Sequence, residues 1–224
     1  MRTVFNIIGP VMVGPSSSHT AGAVRIGLAA RAIIGGQPSR AVITLYGSFA
    51  TTYGGHGTDL ALIAGLLGMS PDDERIPDAW RLAAQSGLDV KFEVAEASPD
   101  IHPNTAKLEL VGPFGATTSV VGSSIGGGSI LITKIDHFEV DFSGESHAIV
   151  VAYRDQPGII AKITSLLATE DVNIAAMRVS REAKHAKALA IIEVDQPVSD
   201  EARALISRIV GVDTAISLPP VSLA

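Results

Sequence analysis

From residue 147 onward the apolar positions switch between a spacing of two and a spacing of three to four, the mark of strands alternating with helices. His147-Ala148-Ile149-Val150-Val151-Ala152-Tyr153 opens a strand over 147–154, which ends at the turn Asp155-Gln156-Pro157-Gly158. Ile159, Ile160, Ile163, Leu166 and Leu167 then recur at helical spacing, with Pro157 tolerated near the first turn. Next come a strand holding Val172, Ile174, Ala176 and Val179, a polar turn from Arg181 to His185, and a strand over 189–194. A helix around Glu201 to Ile209 and a strand near Thr214 to Leu218 complete the pattern. The order strand, helix, strand, strand, helix, strand predicts a ferredoxin-like unit.

The preceding part is less regular. An apolar segment from Val4 to Val13 leads to the Ser-rich loop 14–20, which opens an Ala-rich helix from about Ala21 to Ile34. Val24, Leu28 and Ala32 form one stripe of that helix, and Gly35-Gly36 ends it. Ala41 to Tyr46 reads as a strand; a helical stretch, the glycine loop Gly54-Gly55-His56-Gly57-Thr58-Asp59 and a helix with Leu60, Ile63, Ala64 and Leu67 inward follow it. A short helix at 80–84 and strands at 89–95, 106–111, 117–123, 129–135 and 137–142 make this an α+β domain. Small polar residues from Phe142 to Ser146 mark the boundary, so domains are expected at 1–144 and 147–219.

Composition narrows the classes. With 46% hydrophobic and 18% charged residues the chain has the material for packed cores. Its net charge of -6, without a basic run, speaks against a nucleic acid or an anionic membrane as partner. Asn6 and Gly9-Pro10 break the N-terminal apolar stretch, so no signal peptide is expected, and the protein is expected in the cytoplasm. Cysteine is absent, which removes disulfides, thiolate catalysis and any thiolate-held metal from this chain's own repertoire.

Candidate chemistry gathers in three segments. Ser16, Ser17, Ser18, His19 and Thr20 stand at a helix start, where free N–H groups, hydroxyls and the helix dipole favour a carboxylate or phosphate. The plainer reading is that Ser18 or Thr20 only caps the helix. The loop 54–59 repeats the design with His56, Thr58 and Asp59, and His102-Pro103-Asn104 adds an imidazole and an amide able to meet an amino acid's polar groups. Zinc held by His19, His56, His102 and Asp59 is compatible with the spacing but unspecified by it, since no HExxH is present. The glycine run 126–128 stands between strands and reads as a bulged hairpin or a close-packed interface, while His137, His147 and His185 read as ordinary histidines. In the last unit Asp155, Pro157 and Gly158, with Asn173 on the same cleft, are candidates for a ligand or an interface, or simply a turn and a strand end.

Taken together, the motifs Ile8-Gly9-Pro10-Val11-Met12-Val13-Gly14-Pro15-Ser16-Ser17-Ser18-His19-Thr20-Ala21-Gly22, Tyr46-Gly47-Ser48-Phe49-Ala50, Gly55-His56-Gly57-Thr58-Asp59, His102-Pro103-Asn104-Thr105 and Ser124-Ile125-Gly126-Gly127-Gly128 resemble the beta chain of two-chain, iron-sulfur-dependent bacterial L-serine dehydratases. The segment from His147 resembles an ACT domain, and the first domain resembles the allosteric substrate-binding domain of some phosphoglycerate dehydrogenases. The resemblance implies deamination of L-serine to pyruvate and ammonia without pyridoxal phosphate. It implies a 4Fe-4S cluster acting as Lewis acid, and the missing cysteines place that cluster on a separate alpha chain. It implies L-serine as ligand of Ser16, Ser17, Ser18, His19, Thr20, His102 and Asn104, either as activator or as substrate. His56, oriented by Asp59, is the candidate for proton transfer, and the ACT domain is expected to self-associate. A serine sensor without catalysis is the competing reading.

Overall fold

The computed structural model describes residues 11–96 and 98–221. The segment Ile8-Gly9-Pro10 and most of the apolar stretch from Val4 lie outside them; at its described end the Val13 N–H donates to the Pro71 carbonyl at 2.9 Å. The chain packs as two compact units, one running to Asp136 and the other spanning His137–Pro220. None of the described helices is long and apolar enough to cross a membrane.

In the first unit a π-helical turn, Ser17–Ala21, runs directly into α1 (Gly22–Ile33), which stops where Gly35 turns left-handed at φ 83°. The strands are β1 (Arg40–Leu45), β2 (Asp89–Val94), β3 (Thr105–Val111), β4 (Thr117–Gly126) and β5 (Ser129–Ile135), side by side in the order β2-β1-β3-β4-β5. Only β1 and β2 pair parallel; the rest are antiparallel. Helices α2 (Gly47–His56), α3 (Thr58–Leu66) and α4 (Ala79–Gln85) fall between β1 and β2 in the chain. Ala41, Ile43 and Leu45 alternate inward on β1, and Ile26, Leu62, Leu66, Leu108, Leu110 and Ile132 are buried with them. Each such Leu or Ile contributes about 1.5–3 kcal/mol by its burial. Helices α1 and α3 cross at Gly27 and Gly65, where a Cβ on Gly65 would come within 2.1 Å of the Val24 carbonyl oxygen. That crossing holds the two helix starts, and the segments before them, side by side.

The second unit contains β6 (Phe138–Phe142), β7 (His147–Arg154), α5 (Ile159–Thr169), β8 (Ile174–Arg181), β9 (Lys187–Val194), α6 (Asp200–Ser207) and β10 (Val212–Leu218). Strands β10-β7-β9-β8 form an antiparallel sheet in the expected βαββαβ order. Ile149, Val151 and Tyr153 from β7, Ile163 and Leu167 from α5, Ile192 from β9 and Ile206 from α6 make one core. The packing divides the units at Asp136–His137, ahead of the composition change at Phe142–Ser146, so that β6 falls in the second unit. Its Phe138, Val140 and Phe142 are buried, the Ser180 hydroxyl donates to the Glu139 carbonyl, and His137 meets Glu182 at 2.5 Å.

Candidate functional site

Ser16 caps the π-helical turn: its Oγ accepts the His19 main-chain N–H at 3.2 Å. The cap is therefore Ser16, not Ser18 or Thr20, because the π turn starts the helical path at Ser17, five residues ahead of α1. Thr20 is buried against Gly14, where a Cβ would come within 2.5 Å of the Thr20 Oγ1. Turns of this kind are frequent at functional sites.

The turn delivers His19 into a cage of hydroxyls. Its Nδ1 stands 3.3 Å from the Ser16 Oγ and 3.2 Å from the Ser18 Oγ, which are themselves 3.3 Å apart. Its Nε2 stands 3.1 Å from the Ser48 Oγ on the first turn of α2. Phe49 meets the ring edge-on with centroids 5.4 Å apart, and His56 lies at 5.0 Å. Burial first, and the neighbouring His56 second, hold the His19 imidazole below its ordinary pKa, so the ring favours its neutral form.

His56 enters from the last turn of α2. Gly54 and Gly55, expected as a flexible loop, lie inside that helix, and only Gly57 is left-handed, at φ 66°, forming the joint to α3. The expected pairing of His56 with Asp59 does not form. Asp59, one residue into α3, turns its carboxylate to the Trp80 indole N–H at 2.9 Å, while the His56 Nδ1 is buried without a hydrogen-bond partner.

The third segment docks on the start of α2. The Phe49 N–H donates to the Pro103 carbonyl at 3.2 Å and the Tyr46 N–H to the Thr105 carbonyl at 3.0 Å. Gly47, at φ 51°, permits this approach, since a Cβ there would lie 2.6 Å from the Pro103 Cα. The exposed His102 turns its Nδ1 back to accept the Asn104 N–H at 3.2 Å, and Asn104 keeps its side-chain oxygen buried and unpartnered. Ser17 is half-buried on the turn.

Ser16, Ser18, His19, Ser48 and His56 thus meet directly, with Asn104 carried on the loop that abuts α2. Ser48 and Phe49 went unassigned in the sequence, although a glycine followed by a hydroxyl at a helix start was the available signal. Among the described residues the buried polar atoms without a hydrogen-bond partner include Ser217 Oγ in the second unit and five in the first: Thr20 Oγ1, His56 Nδ1, Thr58 Oγ1, Asn104 Oδ1 and Ser124 Oγ. Those five belong to the motif segments, and such orphans call for a ligand, water or partner group. Zinc is not supported: among the described residues no three His, Asp or Glu side chains gather as a metal site requires. The glycine run is a bulged hairpin, with Gly126, Gly127 and Gly128 at φ 111°, 62° and 85° and the Arg25 guanidinium donating to the Gly128 carbonyl at 2.5 Å.

In the second unit Asp155 is engaged by the Arg181 guanidinium at 3.0 Å and the His185 N–H at 3.1 Å. Those bonds, the His185 N–H first, hold its carboxyl below the usual range. Pro157 and Gly158 are exposed, with Gly158 at φ 88° before α5. Asn173 does not share their cleft. It donates to Asp195 at 2.6 Å beside the start of β8, whereas Asp155 binds its far end, eight residues or about 26 Å away along the strand.

Fold and site define a two-unit α+β protein with a histidine–hydroxyl cluster in the first unit and a ferredoxin-like second unit. The chain belongs to the serine dehydratase beta chain family, whose model matches residues 3–134, and an ACT domain is matched over residues 147–210. A probable L-serine dehydratase beta chain of Bacillus subtilis is 49% identical over 199 residues, 89% of this chain and 90% of that protein. The L-serine dehydratase beta chain of Peptoniphilus asaccharolyticus is 39% identical over 211 residues, 94% of each. A D-3-phosphoglycerate dehydrogenase of Synechocystis is 29% identical over 83% of this chain but only 33% of its own length.

Proposed function

We propose that this chain is the beta subunit of an L-serine dehydratase that, with an alpha chain, converts L-serine to pyruvate and ammonia. Serine loses its α proton and its hydroxyl as water; the aminoacrylate released tautomerises to an imine, which water hydrolyses. The observation that carries the reading is the His19–His56 pair, set among hydroxyls in a chain whose relatives bear that name.

This chain's residues do not fit a 4Fe-4S cluster: it has no cysteine, and no metal-ligating group gathers among the described residues. The cluster is assigned to the alpha chain. The Ser17 and Ser18 N–H groups at the start of the turn bind the serine carboxylate with the Ser17 hydroxyl, the His19 and Thr20 N–H groups being taken by Ser16, while Ser16 and Ser18 hold His19. The Asn104 Oδ1 accepts from the substrate ammonium. His56 is the proton-transfer group; its unpartnered Nδ1 supports the role, and His19, in place of Asp59, is its neighbour. Self-association through the ACT unit is supported by Met177 and Val179, 45% and 43% exposed on the edge strand β8.

The test is anaerobic reconstitution with iron, sulfide and the alpha chain. The beta chain alone is expected to be inert and the pair to make pyruvate from L-serine. No activity with an authentic, cluster-loaded alpha chain overturns the reading.

A further inference from the structure

A main-chain N–H can only donate, and in the loop before β3 this fixes the state of an imidazole. The Asn104 N–H donates to the His102 Nδ1 at 3.2 Å, so Nδ1 bears a lone pair and the proton of the neutral ring sits on Nε2. The bond joins a side chain to the N–H two residues on, the pattern by which Asn and Asp side chains close an Asx turn. His102 is exposed and turned into its own loop, whereas His19 and His56 meet each other.

The same bond holds Asn104. Its N–H is on His102 and its carbonyl accepts the Ser124 N–H at 2.9 Å, so both of its main-chain groups are engaged while its side-chain oxygen is left unpartnered. The flanking residues are tied as well. The Thr105 hydroxyl donates to the His102 carbonyl at 2.7 Å and stands 2.7 Å from the Ser123 Oγ, and the Pro103 carbonyl accepts the Phe49 N–H at 3.2 Å. Those ties all hold carbonyls or side chains; the His102 imidazole alone holds the Asn104 N–H.

We propose that His102 is a positioning residue that does not touch serine but, as the Nε2–H tautomer, holds the Asn104 main chain so that Oδ1 faces the substrate ammonium. The inference rests on the reading of Asn104 as the residue that accepts from that ammonium. All the role requires at position 102 is a side-chain acceptor within reach of the Asn104 N–H. Asparagine supplies one through its Asx turn, and alanine supplies none.

The test pairs a spectrum with kinetics. Ring-nitrogen NMR of the full-length chain with labelled histidine is run at about pH 8, where an unperturbed imidazole is neutral, and His102 is identified by its loss in His102→Asn. A bare Nδ1 and a protonated Nε2 are expected; a protonated Nδ1 overturns the proposal. In the reconstituted enzyme His102→Ala is expected to raise the KM for L-serine roughly three- to tenfold at nearly unchanged kcat, the worth of about one hydrogen bond, and His102→Asn to restore it. An Asn variant as impaired as the Ala variant, or a kcat loss in His102→Ala as large as that of His56→Asn, means that the imidazole itself is needed and overturns the proposal. Asn104→Ala tells the two failures apart. A raised KM there beside an unaffected His102→Ala sinks the positioning role alone, whereas an unchanged KM there sinks the ammonium-binding role of Asn104 and the proposal with it.

Discussion

The imidazoles of His19 and His56 face each other with centroids 5.0 Å apart and planes tilted by 37°, although 37 positions separate them in the chain. One ring comes from a π-helical turn and the other from a helix end, and burial first, with the closeness of His56 second, lowers the pKa of His19.

Replacing His56 by Asn in the assembled enzyme should lower kcat by about 10²–10⁴-fold, the range for a general acid or base. Steady-state pyruvate formation against serine concentration checks it. Retained maximal rate with lost sigmoidality would instead make this an activator site.

His19 also sets a pH dependence. Well above pH 6.5 the ring is neutral both folded and unfolded and adds no pH slope. As the pH falls below that value the unfolded chain takes up the proton first, so stability drops until the folded ring protonates too. His19→Gln should flatten this loss, read as melting temperature against pH.

Asp59 and Trp80 form a bond separate from the histidine pair. Asp59→Ala and Trp80→Phe should each cost about 0.5–1.5 kcal/mol, and the double variant should cost little more. Denaturant melts measure this. A kcat loss for Asp59→Ala as large as that of His56→Asn would restore Asp59 as the partner of His56.

Two glycines of α2 should respond oppositely to alanine. Gly47→Ala forces a Cβ into Pro103 at a left-handed φ, for a loss of roughly 2–4 kcal/mol and displacement of Ser48. Gly54→Ala meets nothing within 4 Å in a helical turn and should gain about 0.5–1 kcal/mol.

On β8, Met177→Lys with Val179→Lys should abolish self-association through the ACT unit. Sedimentation of the chain alone would show the mass falling to that of one copy. An unchanged mass places any interface elsewhere.

The βαββαβ unit was legible from residues alone because short apolar runs are set off from one-sided helices: β7 and β9 bury nearly every position, and α5 shows one inward stripe of Ile159, Ile163 and Leu167. The motif segments carrying His19, His56 and Asn104 were legible too, since hydroxyls, imidazoles and glycines cluster there locally. Gly54-Gly55 read as a loop because intrinsic propensity is a weak guide. The start of α2, tied down by Pro103, and α3 behind it carry the helix through both glycines.

Sequence by itself determined which chemical groups the protein owns: the histidines, the hydroxyls, the absence of thiols and the order of strands and helices. Tertiary structure alone decided their partners. It gave Asp59 to Trp80, Ser48 to His19, and Asn173 to Asp195 at the far end of a strand from Asp155. Those pairings depend on helix crossings and strand register, which are set by packing between residues distant in the chain, and local pattern carries no record of them.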